Sequence, residues 1–247
     1  MADASNGLPK VNSQKKIFRS LAARLQAKLV LKLVLLAVLN LCVYGPYLFL
    51  QRCHFFPATN MSPGIFDRWI PFSDHAVWLY FSIYLLMPVG PFLMNDRKQI
   101  LRYAAGIVFI SLIADMIFLF WPTVCPRPDI GETNAAYQTL TALDNSFHAL
   151  PSLHAAFAIY SALCGSLVLR GLGSRRFWRT GLWLWAVLIL WATLATKQHV
   201  VVDIVAGSAL GLGIYRCVFS QRFFIFKSPS ALHPAATNQN QPASNIP

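Results

Sequence analysis

The chain has 247 residues, of which 56% are hydrophobic and only 12% are charged, and its net charge is +12. An ordinary soluble domain is about one quarter charged residues. The composition therefore excludes an ordinary soluble fold and predicts an integral membrane protein. The length suits one membrane domain with short tails and excludes a second folded domain.

Residues 1–28 form the first predicted segment, which begins polar and then mixes basic with apolar residues. Four apolar residues recur at every fourth position: Ile17, Leu21, Leu25 and Leu29. Basic residues occupy the other faces, so the pattern predicts a cytoplasmic, basic amphipathic helix lying on the membrane surface. An extension of the first membrane span is the alternative.

Six apolar runs follow, and each is long enough to cross a bilayer, which takes about 20 residues. They cover residues 29–50, 75–94, 100–121, 151–169, 180–196 and 199–219. Runs of this length exceed any strand. The predicted fold class is therefore all-α, a polytopic membrane protein with six transmembrane helices in one bundle over residues 29–220. Residues 221–247 are rich in Pro, Ala, Asn and Gln and predict a disordered cytoplasmic tail.

The distribution of Lys and Arg predicts the orientation of this bundle. Alternate loops and the two termini place 17 basic residues on one side of the membrane and 4 on the other. Basic residues favour the cytoplasm, so both termini are expected there. The charge is then explained by topology and by anionic lipids, and no nucleic-acid partner is expected. The chain shows no organelle signal, which favours a bacterial inner (plasma) membrane, with a eukaryotic endomembrane as the alternative.

The candidate catalytic residues lie on the side with few basic residues. His199 and Asp203 stand four residues apart at the start of the sixth run, so on a helix they share one face. The carboxylate can accept the proton of one imidazole nitrogen and leave the other nitrogen free to attack an electrophile. Charged residues inside such apolar spans are rare without a function.

A second motif, Pro151-Ser152-Leu153-His154, opens the fourth run. Proline suits the first turn of a helix, and the serine can cap that helix. The unpaired N–H groups of the first turn favour an anion. His154 lies at the same level and can give or take a proton near neutral pH.

Together with Arg127 and the proline after it, these motifs resemble the type 2 phosphatidic acid phosphatase superfamily over roughly residues 75–220. Phe120 stands where the family's first motif has Lys, Leu153 where the second has Gly, and Thr193 where the third has Arg. The Pro-Ser-Leu-His form is similar to the branch that contains inositol phosphorylceramide and sphingomyelin synthases. Those enzymes pass a phosphoryl head group to an alcohol instead of to water.

The resemblance implies a role for each motif residue. His199 would attack phosphorus and form a phosphohistidine, Asp203 would orient its ring, and His154 would protonate the leaving alkoxide and then activate water or an acceptor. The phosphate oxygens would be held by Arg127, Ser152 and Lys197. Lys197 has a second interpretation, in which it extends to the membrane interface. No metal or other cofactor is expected.

The predicted function is therefore that of a membrane-embedded phosphatase in lipid metabolism, a hydrolase acting on a lipid phosphate or pyrophosphate, such as a phospholipid, at the extracytoplasmic face. The expected partners are this substrate and the membrane lipids. A phosphotransferase that uses a lipid or sugar alcohol is the alternative, and a transporter is a remote one. A metalloenzyme is a further hypothesis, with four candidate ligands: His148, His154, His199 and Asp203.

Four features remain open at this stage. Asp115 lies inside the third run, where a carboxylate is either functional or hydrogen-bonded to another helix. His148 is interpreted as a loop or lid residue, and Asp144 as solvated. Cys53 and Cys125 fall in loops on the same side and could form a disulfide.

Overall fold

The computed structural model of the protein describes residues 22–53, 55–127 and 131–219. The predictions for most of the N-terminal segment, residues 1–21, and for the tail at 221–247 lie outside the described residues. Nine helices occur within the described ranges. They are α1 (Leu29–Leu50), α2 (Ile65–Trp69), α3 (Val77–Phe81), α4 (Ile83–Leu93), α5 (Arg97–Phe120), α6 (Ala135–Leu143), α7 (Leu153–Gly171), α8 (Arg176–Ala195) and α9 (Val201–Val218).

Among the described residues, six helical segments are long and apolar enough to cross a membrane, which confirms the all-α polytopic fold. The predicted limits of the six spans agree with the observed ones to within four residues. The second span differs in kind, because Asp74–Leu93 consists of a 3₁₀ turn followed by α3 and α4. At the break, the Ser82 hydroxyl donates to the carbonyl of Leu79 (2.6 Å) and accepts from the indole of Trp185 (2.9 Å).

Local sequence accounts for where the helices begin and end. The Asp96 carboxylate caps α5 by accepting from the backbone N–H of Lys98, and the Ser152 hydroxyl caps α7 by accepting from that of Ala155. At the other end of α7, Gly173 adopts a left-handed φ of 65°. Glycine reaches this conformation without steric cost, so it stops the helix.

Helix α7 is the centre of the bundle, and α1 is its most lipid-exposed span. In the most apolar stretch of each helix, 67% of the residues of α7 are buried but only 11% of those of α1. Small residues allow neighbouring helices to approach α7 closely. A Cβ placed at Gly207 of α9 would lie 2.2 Å from the carbonyl oxygen of Ser152, and one at Gly211 would lie 2.4 Å from that of Ala156.

Loops at one end of the bundle are tied together by a short parallel pairing of β1 (Thr59–Asn60) with β2 (Thr123–Val124). Val124 also forms a bridge with Phe147, just before α7. We call this end, where α7 and α9 begin, the histidine end. The opposite end, where Lys32 lies near the start of α1, is the lysine end.

The five cysteines are free, so Cys53 and Cys125 do not form a disulfide here. Asp115 is buried in α5, and neither oxygen of its carboxylate has a hydrogen-bond partner among the described residues. The possibility that Asp115 is hydrogen-bonded to another helix is therefore not supported by its contacts.

Candidate active site

His199 lies just before α9, in the turn that enters the helix. Its Nδ1 is 3.0 Å from the carbonyl oxygen of Ala149 and 3.5 Å from Oδ2 of Asp203. Both oxygens act as acceptors, so the Nδ1 proton is the one they hold. The other ring nitrogen, Nε2, then carries the lone pair.

Asp203 is fully buried, and its own contacts fix its position. Its Oδ2 accepts from the backbone N–H of Val200 at 3.0 Å, and its main-chain oxygen accepts from the N–H of Ser152 at 3.1 Å. Oδ1 has no hydrogen-bond partner in the part of the chain that the structure describes. Asp203 therefore joins the His199 turn, through its carboxylate, to the start of α7, through its main-chain oxygen.

His154 occupies the first turn of α7 and is held mainly by a ring contact. Its imidazole stacks on the ring of Tyr80, with centroids 3.9 Å apart and an interplanar angle of 26°. Its Nε2 is buried and has no hydrogen-bond partner among the described residues. This nitrogen is thus available to a bound molecule.

Both histidines line one cavity of about 590 Å³ that extends from the histidine end to Lys32. Its wall is mostly apolar and comes from α1, α3, α4, α5, α6 and α7. Lys32 and Tyr47, which both line it, are fifteen residues apart on α1, or about 22 Å at about 1.5 Å per residue. The shape suits a hydrocarbon chain with a polar group beside the histidines.

Two of the three predicted phosphate-binding residues, Ser152 and Arg127, lie near His199 and Asp203. The Ser152 hydroxyl is fully buried and serves as the cap of α7. Arg127 donates through Nη2 to the main-chain oxygen of Asp144 (2.7 Å) and to the side-chain oxygen of Gln198. Its Nε is buried and has no partner within the described ranges, so a donor remains for a ligand.

The structure does not bring Lys197 to the cavity. Its backbone adopts a left-handed φ of 53°, and its ammonium donates to the carbonyl oxygens of Ile70 (2.5 Å) and Asp67 (3.3 Å). The same Asp67 accepts from the N–H of Val201 through Oδ1 (2.7 Å). Lys197 and Asp67 therefore connect α2 to the turn that carries His199.

The interpretation of Asp144 as a solvated loop residue is wrong. Its Oδ1 accepts from the Tyr47 hydroxyl (2.8 Å) and the Gln51 amide (2.6 Å), and its Oδ2 accepts from the Tyr80 hydroxyl (3.3 Å). Asp144 and both tyrosines line the cavity. Two signals pointed to them in the sequence: tyrosines near the end of an apolar run, and a carboxylate just after the apolar Leu140 and Leu143.

The thiol of Cys125 is not available as a nucleophile. Burial raises the pKa of the Cys125 thiol to about 12, and the charge of Asp203 adds to the shift. The thiol is therefore protonated at neutral pH, whereas attack requires the thiolate. No group of three or more His, Cys, Asp or Glu side chains within residues 22–53, 55–127 and 131–219 could hold a metal ion.

The family model described as the PAP2 superfamily matches residues 50–217, about two thirds of the chain. The chain belongs to the PAP2 superfamily. Comparison with curated proteins gives no match, and comparison with solved structures gives none either. Membership confirms the resemblance that the motifs carry and makes the protein a phosphatase-type membrane enzyme of lipid phosphates.

Proposed function

We propose that the protein is a phosphatase that acts on a lipid phosphate or pyrophosphate through a phosphohistidine at His199. One observation carries the proposal: His154 and His199 line the same cavity, and each has one ring nitrogen suited to a different step. Nδ1 of His199 is held by Ala149 and Asp203, so Nε2 is the nucleophile. The unpartnered Nε2 of His154 is the proton carrier.

In the first step, the Nε2 lone pair of His199 attacks phosphorus, and the bond from phosphorus to the lipid oxygen breaks. The leaving oxygen takes a proton from His154, so no free alkoxide is released. The His199 ring becomes positively charged as the N–P bond forms. The Asp203 carboxylate, 3.5 Å from Nδ1, stabilises that charge.

In the second step, water attacks the phosphorus of the phosphohistidine. His154, now neutral, takes the proton of the water, and the N–P bond breaks to release inorganic phosphate. His154 ends the cycle protonated and His199 ends it neutral, as both began. The remaining N–H groups of Arg127 and the first-turn N–H groups of α7 are the proposed donors to the phosphate oxygens.

The apolar cavity supports a lipid substrate with a long hydrocarbon chain. It runs about 22 Å along α1, which is most of the roughly 30 Å hydrocarbon core of a bilayer. The histidines lie at one end of it, as expected if the phosphate remains at the membrane surface while the chain enters the bundle. This position of the site supports cleavage of the bond between phosphorus and the lipid oxygen.

We also propose that the histidine end faces away from the cytoplasm, on the basis of the 17-to-4 distribution of basic residues. A cysteine introduced at the exposed Glu132 tests this orientation in intact cells. A membrane-impermeant thiol reagent should label it from outside, with Lys98→Cys as the control on the opposite side. Labelling of the Lys98 variant alone would reverse the orientation.

A phosphotransferase is the second candidate, and the polar cluster around Asp144 favours it. This cluster adjoins His154 through Tyr80 and could hold an acceptor alcohol whose hydroxyl His154 would deprotonate. The phosphoryl group would then pass from His199 to that oxygen instead of to water.

The test uses purified full-length protein and a panel of lipid phosphates, with and without acceptor lipids. Free phosphate indicates the phosphatase, and a new phospholipid indicates the transferase. Substrate labelled with ³²P should leave an acid-labile, base-stable label on the protein that is absent after His199→Asn. Undiminished turnover in that variant would overturn the proposal.

A further inference from the structure

The cavity has one acidic wall beside the proposed catalytic histidines. Among its lining residues, only Lys32 and Asp144 belong to side-chain types that are fully charged at neutral pH, and Lys32 lies at the lysine end. A carboxylate is a poor neighbour for a phosphate because their charges repel. The Asp144 wall therefore suits a part of the ligand other than the phosphate.

The hydrogen bonds of Asp144 solvate its charge without cancelling it. Its carboxylate accepts from two hydroxyls and one amide, which are all uncharged donors: Tyr47, Tyr80 and Gln51. The Arg127 guanidinium donates to the main-chain oxygen of Asp144 instead. A carboxylate has about four acceptor positions, so three protein donors leave about one for a ligand.

The surrounding groups present further acceptors. Once the Tyr47 and Tyr80 hydroxyls have donated to Asp144, their oxygens can only accept. The rings of Tyr44 and Tyr84 line the same part of the cavity, and aromatic faces attract cations and pack against carbon. Ligand groups that fit this wall must donate hydrogen bonds, as hydroxyl and ammonium groups do.

Tyr80 lies between the Asp144 carboxylate and the His154 imidazole. Its ring stacks on His154 at 3.9 Å between centroids, while its hydroxyl lies 3.3 Å from the Asp144 carboxylate. The imidazole and the carboxylate are thus separated by little more than one tyrosine side chain. A small head group joined to the phosphate by a short carbon linker spans such a gap.

We propose that Asp144, Tyr47, Tyr80 and Gln51 form a subsite for a lipid head group that donates hydrogen bonds, through either the hydroxyls of a polyol or the ammonium of an amino alcohol. The phosphorus of the same lipid lies at His199, so the inference rests on the proposed function for that position, and it extends the ligands of the site from lipid phosphates to phosphodiesters. It concerns binding and adds no bond-making step.

Binding is measured with full-length His199→Asn protein in detergent, so that turnover does not consume the lipid. The probes are dihexanoyl phosphatidylglycerol, phosphatidylethanolamine and phosphatidylmethanol. All three are phosphodiesters, but only the methyl ester lacks a donor on its head group. We expect at least one of the first two to bind about tenfold more tightly than phosphatidylmethanol, as one charge-assisted hydrogen bond implies. Whichever of the two lipids binds more tightly shows whether a hydroxyl or an ammonium group is the hydrogen-bond donor that the subsite prefers.

Asp144→Asn, added to the same protein, should reduce this preference to less than about threefold, because an amide lacks the charge. Glu132→Gln is the matched control, since it removes a carboxylate from an exposed loop position at the same end. It should leave the preference unchanged. A melting temperature within a few degrees of the parent checks that Asp144→Asn is folded.

Equal affinity for the three lipids would overturn the inference without any variant, even if Asp144→Asn failed to fold. A preference that persists in Asp144→Asn would overturn the assignment to this subsite. The proposed function fails on different data, namely the absence of a phosphohistidine label or of phosphate release. The two failures are therefore distinguishable.

Discussion

Two helix N-termini meet at the histidine end, and they hold their histidines in opposite ways. In the turn before α9, His199 is bonded through Nδ1, and its neighbours Lys197, Val200 and Val201 each donate to a fixed oxygen. In α7, the His154 ring is stacked on Tyr80, and its Nε2 has no partner among the described residues. One ring is fixed by hydrogen bonds, and the other is positioned by packing.

This difference fits the two proposed roles, a nucleophile at His199 and a proton carrier at His154. A nucleophile has to keep one orientation through attack and release, so bonds to a single ring nitrogen are an advantage. A proton carrier has to exchange its proton with two different oxygens in turn, so a permanent partner would compete with the reaction. Substitutions at the two helix starts should therefore produce different kinetic defects.

The largest effect is expected at His199. His199→Asn removes the proposed nucleophile and should lower kcat by on the order of 10⁴-fold or more, because no covalent intermediate could form. The measurement is phosphate release by purified protein, with the melting temperature as the check on folding. Residual activity above a few per cent would show that His199 is not the nucleophile.

His154→Asn should lower kcat by about 10²- to 10⁴-fold, the usual worth of general acid–base catalysis. The first step should recover with an aryl phosphate, whose leaving group needs no proton. This variant should then accumulate the phosphohistidine, which a rapid-quench measurement with labelled substrate detects. An equal loss with alkyl and aryl substrates would contradict the role in protonating the leaving group.

Asp203→Asn should have a smaller effect of about 10- to 100-fold. The Ala149 carbonyl is nearer to Nδ1 than the carboxylate is, 3.0 Å against 3.5 Å, so the tautomer of His199 survives the change. A triad in which the carboxylate alone fixes the tautomer loses about 10⁴-fold. A comparison of kcat in Asp203→Asn and Asp203→Ala measures how much of this orientation Ala149 supplies.

The smallest effect is expected at Lys197. Its ammonium contacts the carbonyls of Asp67 and Ile70, so Lys197→Met should loosen the loop and lower kcat only several-fold, with KM nearly unchanged. A phosphate-binding lysine would instead raise KM strongly when removed. Asp67→Asn, which weakens the bond to Val201, should reproduce the Lys197→Met profile.

The spans could be predicted because the apolar runs exceed the length of any other structure, and α1 begins and ends at the predicted residues. The break in the second span could not. At the break, the Ser82 hydroxyl accepts from the indole of Trp185, which comes 103 residues later in the chain. Hydropathy along the chain carries no information about such a contact.

The motif residues were predictable because each motif is local and sits at a helix start, and the bundle places His154 and His199 at one cavity. Their chemical roles remain predictions. Asp144 was misread because its donors Tyr47 and Gln51 come from more than 90 residues earlier. The contacts of Lys197 were not predictable either, because its backbone is left-handed and its ammonium contacts the end of α2, about 130 residues earlier in the chain. Neither feature is encoded in the spacing of charged residues.

The close contact of Gly207 and Gly211 with α7 has a consequence for biosynthesis. Helix α9 is the sixth span to leave the ribosome, and it brings both His199 and Asp203. Until its glycines pack on the carbonyls of Ser152 and Ala156, the cavity lacks His199, the proposed nucleophile. If His199 is the nucleophile, we expect a partly inserted chain to be inert toward membrane lipids and activity to begin only when the whole bundle has assembled.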